Sequence, residues 1–144
     1  MQRLTNDLNV YRELTLSADG KSLVALQRNN PSHLWILPDF KAENARQLTF
    51  GKNNRDARHG LDVLPDGKII YTSLADMNRD LWIINPQDQA KQQLTVKQNE
   101  ANERPFVAKN GEFIYFSSLN NQTYGIKKFS RTVKICRRLL PIIR

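Results

Sequence analysis

A three-part phrase returns three times along this chain at a spacing in the forties, and that spacing restricts the architectures open to it. Leu4-Thr5, Leu48-Thr49 and Leu94-Thr95 open the units, 44 and 46 residues apart. Asp19-Gly20, Asp66-Gly67 and Asn110-Gly111 follow as turn dipeptides, 47 and 44 apart. Leu34-Trp35 and Leu81-Trp82 close the first two units, and Tyr124-Gly125 takes that place in the third. A fourth opener is due at Leu139, 45 residues after Leu94. A unit of a few short strands cannot bury its apolar face alone, but stacked neighbours can, and a period in the forties is that of propeller blades.

Each unit reads as four strands. In the first, Glu13–Ser17 alternates apolar and polar, the period of a strand. Asp19-Gly20 turns the chain, because glycine accepts positive φ and aspartate caps its own backbone. Ser22–Gln27 is nearly all apolar, His33–Leu37 supplies a third strand and Arg46–Thr49 a short fourth. The second unit repeats the pattern with Gly60–Leu64, the turn Pro65-Asp66-Gly67-Lys68, Ile69–Ser73, Asp80–Ile84 and Gln92–Thr95. The third has Arg104–Ala108, Glu112–Ser117 and Thr123–Lys127, with Val133–Leu140 as its fourth strand.

The second strand of each unit carries little polarity, as expected of a sheet packed between two neighbours. Leu23, Val24, Leu26, Ile69, Ile70, Tyr71, Phe113, Ile114 and Tyr115 are therefore expected in the core, with Trp35 and Trp82 filling the wedges between sheets. The fold class predicted is all-β, a partial β-propeller of about three four-stranded antiparallel blades. Residues 1–144 form one segment, with units at about 3–45, 46–91 and 92–130 and a basic tail over 131–144 that contains a last strand. Propellers close with about four to eight blades. Three units are thus expected to belong to a longer ring or to self-associate, and two copies would supply six blades.

Charge and composition narrow the functional classes. The net charge of +8 is not spread evenly: residues 1–126 hold 15 Lys/Arg against 14 Asp/Glu, whereas the seven basic residues from Lys127 onward meet no acid. Such a tail reads as an edge strand whose lysines and arginines discourage edge-to-edge pairing. It does not present a basic face interleaved with aromatics, so nucleic acid is not the expected partner. There is no run of about 18 apolar residues, so no membrane-spanning helix is encoded. Met1-Gln2-Arg3-Leu4-Thr5 lacks the apolar core of a signal peptide. The lone Cys136 reads as a half-buried strand residue.

The succession Arg46-Gln-Leu-Thr49, a polar loop, a strand, Pro65-Asp-Gly-Lys68, an apolar strand ending at Ser73, a second loop and Asp80-Leu-Trp-Ile83 resembles the TolB-like propeller repeat. The first unit departs by Ala18 before its turn, and the third by Lys109-Asn110-Gly111 and by Gly125 in place of the tryptophan. The resemblance implies WD-repeat-like blades, a six-bladed ring, protein binding and a periplasmic setting. Similar blades also serve as sensor domains beside bacterial serine/threonine kinases or DNA-binding regulators, and as gating propellers of prolyl-oligopeptidase-type peptidases. A gating or sensor segment of such an enzyme or regulator is therefore the alternative to a non-catalytic binding segment.

Catalytic signatures are sparse. There is no Gly-x-Ser-x-Gly elbow and no Gly-rich phosphate loop. The only histidines, His33 and His59, stand at no metal-ligand spacing, and His33 reads as a surface strand residue. Asp76, Asn78 and Asp80 alternate like the start of a calcium loop but lack its glycine and distant glutamate, so they read as a solvated hairpin loop. The chain is expected to be non-catalytic, with no cofactor and no metal. The expected binding surface is the long, polar lead-in to each first strand, since loops on a rigid scaffold carry function. Tyr11, Arg12, Arg58, His59, Glu103 and Arg104 are the candidate contacts for a protein or peptide partner. Arg12, Arg58 and Arg104 recur at intervals of 46, yet lie seven, eight and six residues before their turns. A one-residue offset flips a strand side chain to the other face, so their convergence is not set by spacing.

Overall fold

The computed structural model describes residues 10–28, 30–52, 54–74, 78–96 and 100–131. They are all-β: β1 Val10–Leu16, β2 Leu23–Arg28, β3 Trp35–Ile36, β4 Arg46–Gln47, β5 Leu61–Val63, β6 Ile69–Ser73, β7 Asp80–Ile84, β8 Lys91–Gln93, β9 Glu100–Val107, β10 Phe113–Asn120 and β11 Thr123–Ser130. Two short 3-10 turns, Pro38–Phe40 and Ala42–Asn44, lie between β3 and β4. The strands form four antiparallel sheets in the orders β1-β2, β3-β4, β5-β6-β7-β8 and β11-β10-β9. Leu4-Thr5, Cys136 and the strand expected over 133–140 lie outside the described residues.

The repeated dipeptides have local jobs. In all three turns the glycine takes a left-handed φ, 71° at Gly20, 81° at Gly67 and 68° at Gly111. The residue before each glycine accepts a backbone N–H two places on, Lys21 to Asp19, Lys68 to Asp66 and Glu112 to Asn110. A turn of this kind joins β5 to β6 and sets Val63 opposite Ile69.

Two of the Leu-Thr pairs, Leu48-Thr49 and Leu94-Thr95, close a sheet from its far edge. The Leu34 N–H donates to Thr49 Oγ1 at 2.9 Å, and the Leu81 N–H donates to Thr95 Oγ1 at the same distance. The leucine N–H groups return the bond, Leu48 to the Leu34 carbonyl and Leu94 to the Leu81 carbonyl. Leu48 and Thr49 are wholly buried. Thr49→Val keeps the shape and deletes the acceptor, leaving a buried N–H unpaired. It is expected to cost about 1–3 kcal/mol, read as a lowered urea midpoint.

The β5–β8 sheet is the middle layer, and all five residues of β6 are buried. On one face Leu64, Ile70 and Leu81 pack with Val107, Ile114 and Phe116 of the following sheet. On the other, Ile69, Tyr71 and Ile84 pack with Leu34 and Leu48 from the preceding unit, and Trp82 covers the margin. Two-sided apolarity in β6 therefore marks a strand covered on both faces.

The first unit departs from expectation. Its four strands split into β1-β2 and β3-β4, and no ladder joins β2 to β3. Leu23, Val24 and Leu26, expected in the core, are exposed, because no other sheet covers the β1-β2 hairpin among the described residues. Trp35 is also exposed and fills no wedge, since β3 is only two residues long and its buried contact is made by Leu34. In the third sheet Ile114 is buried as expected, but Phe113 and Tyr115 on the opposite side are half-buried. Lys128 Nζ lies 4.8 Å from the Phe113 ring centre on that side. Only the second unit forms a four-stranded sheet among the described residues.

Candidate functional site

The lead-in segments are irregular where they reach β5 and β9, and this irregularity builds a cluster. Ahead of β5, Ala57 takes a left-handed φ of 56° and Gly60 a φ of 115°. The Gly60 N–H donates back to the Ala57 carbonyl, a tight turn with Arg58 and His59 at its tip. Within β9, the register against β10 jumps between Tyr115 and Ser117, opposite Arg104 and Pro105, and Arg104 sits at φ 54°. A bulge of this kind re-aims side chains at the edge of a ladder. The two irregularities meet: the Arg104 N–H donates to the His59 carbonyl at 2.7 Å. The approach needs glycine, since a Cβ at Gly60 would stand 3.0 Å from the Arg104 Cα.

Glu103 lies under this contact, 2% exposed. Its Oε2 receives Arg79 Nη1 at 2.7 Å and stands 3.4 Å from His59 Nδ1. Ser117 Oγ donates to the Glu103 carbonyl, and the Asn102 N–H donates to the Arg79 carbonyl, so backbone bonds fix both ends of the pair. Burial pushes the His59 imidazole below its usual pKa of 6.5, and the positive charges of Arg79, Arg58 and Arg104 push it further. Glu103 opposes them. At neutral pH the imidazole is therefore uncharged, and the positive charge of the cluster comes from its arginines. Arg58 and Arg104 are exposed at the surface.

Four of the six expected contacts thus come together: Arg58, His59, Glu103 and Arg104. Glu103 is not a surface anchor but the buried counter-charge that holds the others. Tyr11 and Arg12 lie on β1, opposite Gln27 and Leu26, in a hairpin that pairs with neither sheet carrying the cluster. Sequence reasoning missed Arg79. It belongs to a loop read as solvated, and its role follows from the burial of Glu103, which the sequence does not show.

The alternating Asp76–Asp80 loop has its first member outside the described residues. Its last, Asp80, is buried and accepts Thr95 Oγ1 at 2.8 Å and Gln93 Nε2 at 3.2 Å, which makes it a brace of its own sheet. His33, expected at the surface, is half-buried, and its Nδ1 is buried without a hydrogen-bond partner among the described residues. Among the described residues no three His, Cys, Asp or Glu side chains gather to hold a metal ion. No helix there is long and apolar enough to cross a membrane.

A scan against family models and a search of curated proteins found no match for the chain.

Proposed function

We propose that the chain is a non-catalytic segment of a TolB-like β-propeller and that it binds a protein or peptide through the lead-ins to its first strands. Support for the architecture comes from the repeat phrase, from the turn and edge bonds it makes, and from a middle sheet covered on both faces. The binding reading rests on one observation. Arg58 and Arg104 stand exposed on a ledge whose backbone is pinned by Arg104 and His59 and whose underside is locked by the Arg79–Glu103 pair. Arginine held on a rigid base suits a contact residue, because less of its freedom is lost on binding and arginine is enriched at interfaces.

An array of immobilised dodecapeptides, probed with the fluorescently labelled chain, tests this. Peptides that retain the chain are expected to lose it in the double variant Arg58→Ala/Arg104→Ala, with far-ultraviolet circular dichroism unchanged. Retention unaffected by the two substitutions, or no retention on any peptide, would overturn the reading.

A further inference from the structure

The arginine ledge carries a sign as well as a shape. Arg58, Arg79 and Arg104 each act on the His59 imidazole as positive charges, and Glu103 is the acid that opposes them. That acid is already engaged: it is 2% exposed and receives Arg79 Nη1 at 2.7 Å. Arg58 and Arg104 have no ion pair among the described residues. Asp56 stands two residues before Arg58, but it is 3% exposed, accepts Ser73 Oγ at 2.5 Å and acts with burial on the Tyr71 phenol inside the fold. Among the described residues the ledge therefore presents two exposed guanidinium groups with no carboxylate paired to either.

The two groups start from backbones that touch. The His59 carbonyl, one residue beyond Arg58, accepts the Arg104 N–H at 2.7 Å. Like charges on neighbouring strands oppose folding, and a bound anion relieves that opposition. A guanidinium also offers paired N–H groups that match a carboxylate or a phosphate. The scale of the ledge separates those two. A polynucleotide draws its affinity from many phosphates together, about 6–10 in a firm complex, and two arginines meet few of them. The positive excess is local, since residues 1–126 hold 15 Lys/Arg against 14 Asp/Glu. One or two carboxylates on an extended peptide fit a ledge of this size.

We infer that the ledge takes an acidic peptide segment, whose Asp or Glu carboxylates are received by Arg58 and Arg104. The inference rests on the peptide-binding reading above and adds to it the chemistry of the partner. Arg79 and Glu103 touch nothing of the peptide in this arrangement; they hold the surface that carries the two contact arginines.

Amide chemical shifts of the full ¹⁵N-labelled chain provide the test. A dodecapeptide of alternating alanine and glutamate is expected to shift the Arg58, His59 and Arg104 amides saturably, and its alanine–glutamine counterpart is expected to bind roughly tenfold more weakly. The advantage of glutamate is expected to shrink as salt is raised and to vanish in Arg58→Ala/Arg104→Ala. Arg58→Ala alone, at the tip of its turn, is expected to reduce that advantage severalfold and leaves the bulge at Arg104 intact. Equal binding of the two peptides, no shift at these amides, or a glutamate advantage undiminished in a folded variant would overturn the inference. Tighter binding of a thymidylate dodecamer at the same amides would overturn it too. Peptides on the array that need both arginines but carry no acid would overturn it and leave the peptide-binding reading standing, whereas an array on which nothing is retained overturns both. The comparison of glutamate with glutamine needs no variant, so it decides the matter even if the double variant fails to fold.

Discussion

Ile70→Ala is expected to cost about 2–5 kcal/mol of folding stability, whereas Leu23→Ala is expected to change it by less than about 0.5 kcal/mol. The two residues occupy the same place in the repeat, four positions after Asp66 and Asp19. Ile70 is wholly buried among Leu64, Leu81, Val107, Ile114 and Phe116, so alanine leaves a cavity between two sheets that are held apart by their other side chains. Leu23 is half exposed on a hairpin that no other sheet covers. A domain of this size has a total stability of about 5–15 kcal/mol, so the first substitution removes a large share of it. Urea denaturation of the two variants, with unchanged slope, gives both values directly. Equal losses would mean that β2 is covered as β6 is.

That contrast shows where the sequence stops being readable. Asp-Gly and Asn-Gly turns are legible because the chemistry is local: the glycine supplies the φ and its neighbour caps an amide two residues on. The Leu-Thr phrase marks the period, but its job, an edge bond to residues 14 or 15 places earlier, becomes visible only once β3 meets β4 and β7 meets β8. Apolarity on both faces of a strand states that cover is needed and not what provides it. Hence Ile70 and Leu23 read alike and are buried differently. The same holds for the candidate site. Arg58, His59, Glu103 and Arg104 stand out because the sequence reads as long polar lead-ins there, although β9 already begins at Glu100 and so takes in Glu103 and Arg104. Their meeting depends on a left-handed Ala57, a glycine and a bulge at Arg104, none of which follows from spacing. Arg79 joins them from 24 residues before Glu103, across two sheets, and pattern alone does not reach that far.

The Arg79–Glu103 pair is expected to fail asymmetrically. Arg79→Met strands a carboxylate that is 2% exposed and leaves it, among the described residues, His59 alone at 3.4 Å, and the cost is expected to be about 3–5 kcal/mol. Glu103→Gln leaves a guanidinium whose side chain is already 31% exposed and can turn to water, so its cost is expected nearer 1–3 kcal/mol. His59 reports the same electrostatics with opposite signs. Its imidazole titrates below 6.5 because burial and three arginines outweigh Glu103. Glu103→Gln removes the one opposing charge and is expected to lower the value further, while Arg79→Met is expected to raise it. Because the folded-state value lies below 6.5, the unfolded chain binds the extra proton first. Stability is therefore expected to be unaffected by His59 above pH 6.5 and to fall as the pH drops from there through the folded-state value. In Arg79→Met this acid-side loss is expected to shrink. Imidazole proton shifts followed across pH, with denaturant midpoints measured at the same points, check both signs. A His59 titration that moves the same way in the two variants would show that Arg79 and Glu103 do not act on it as opposing charges.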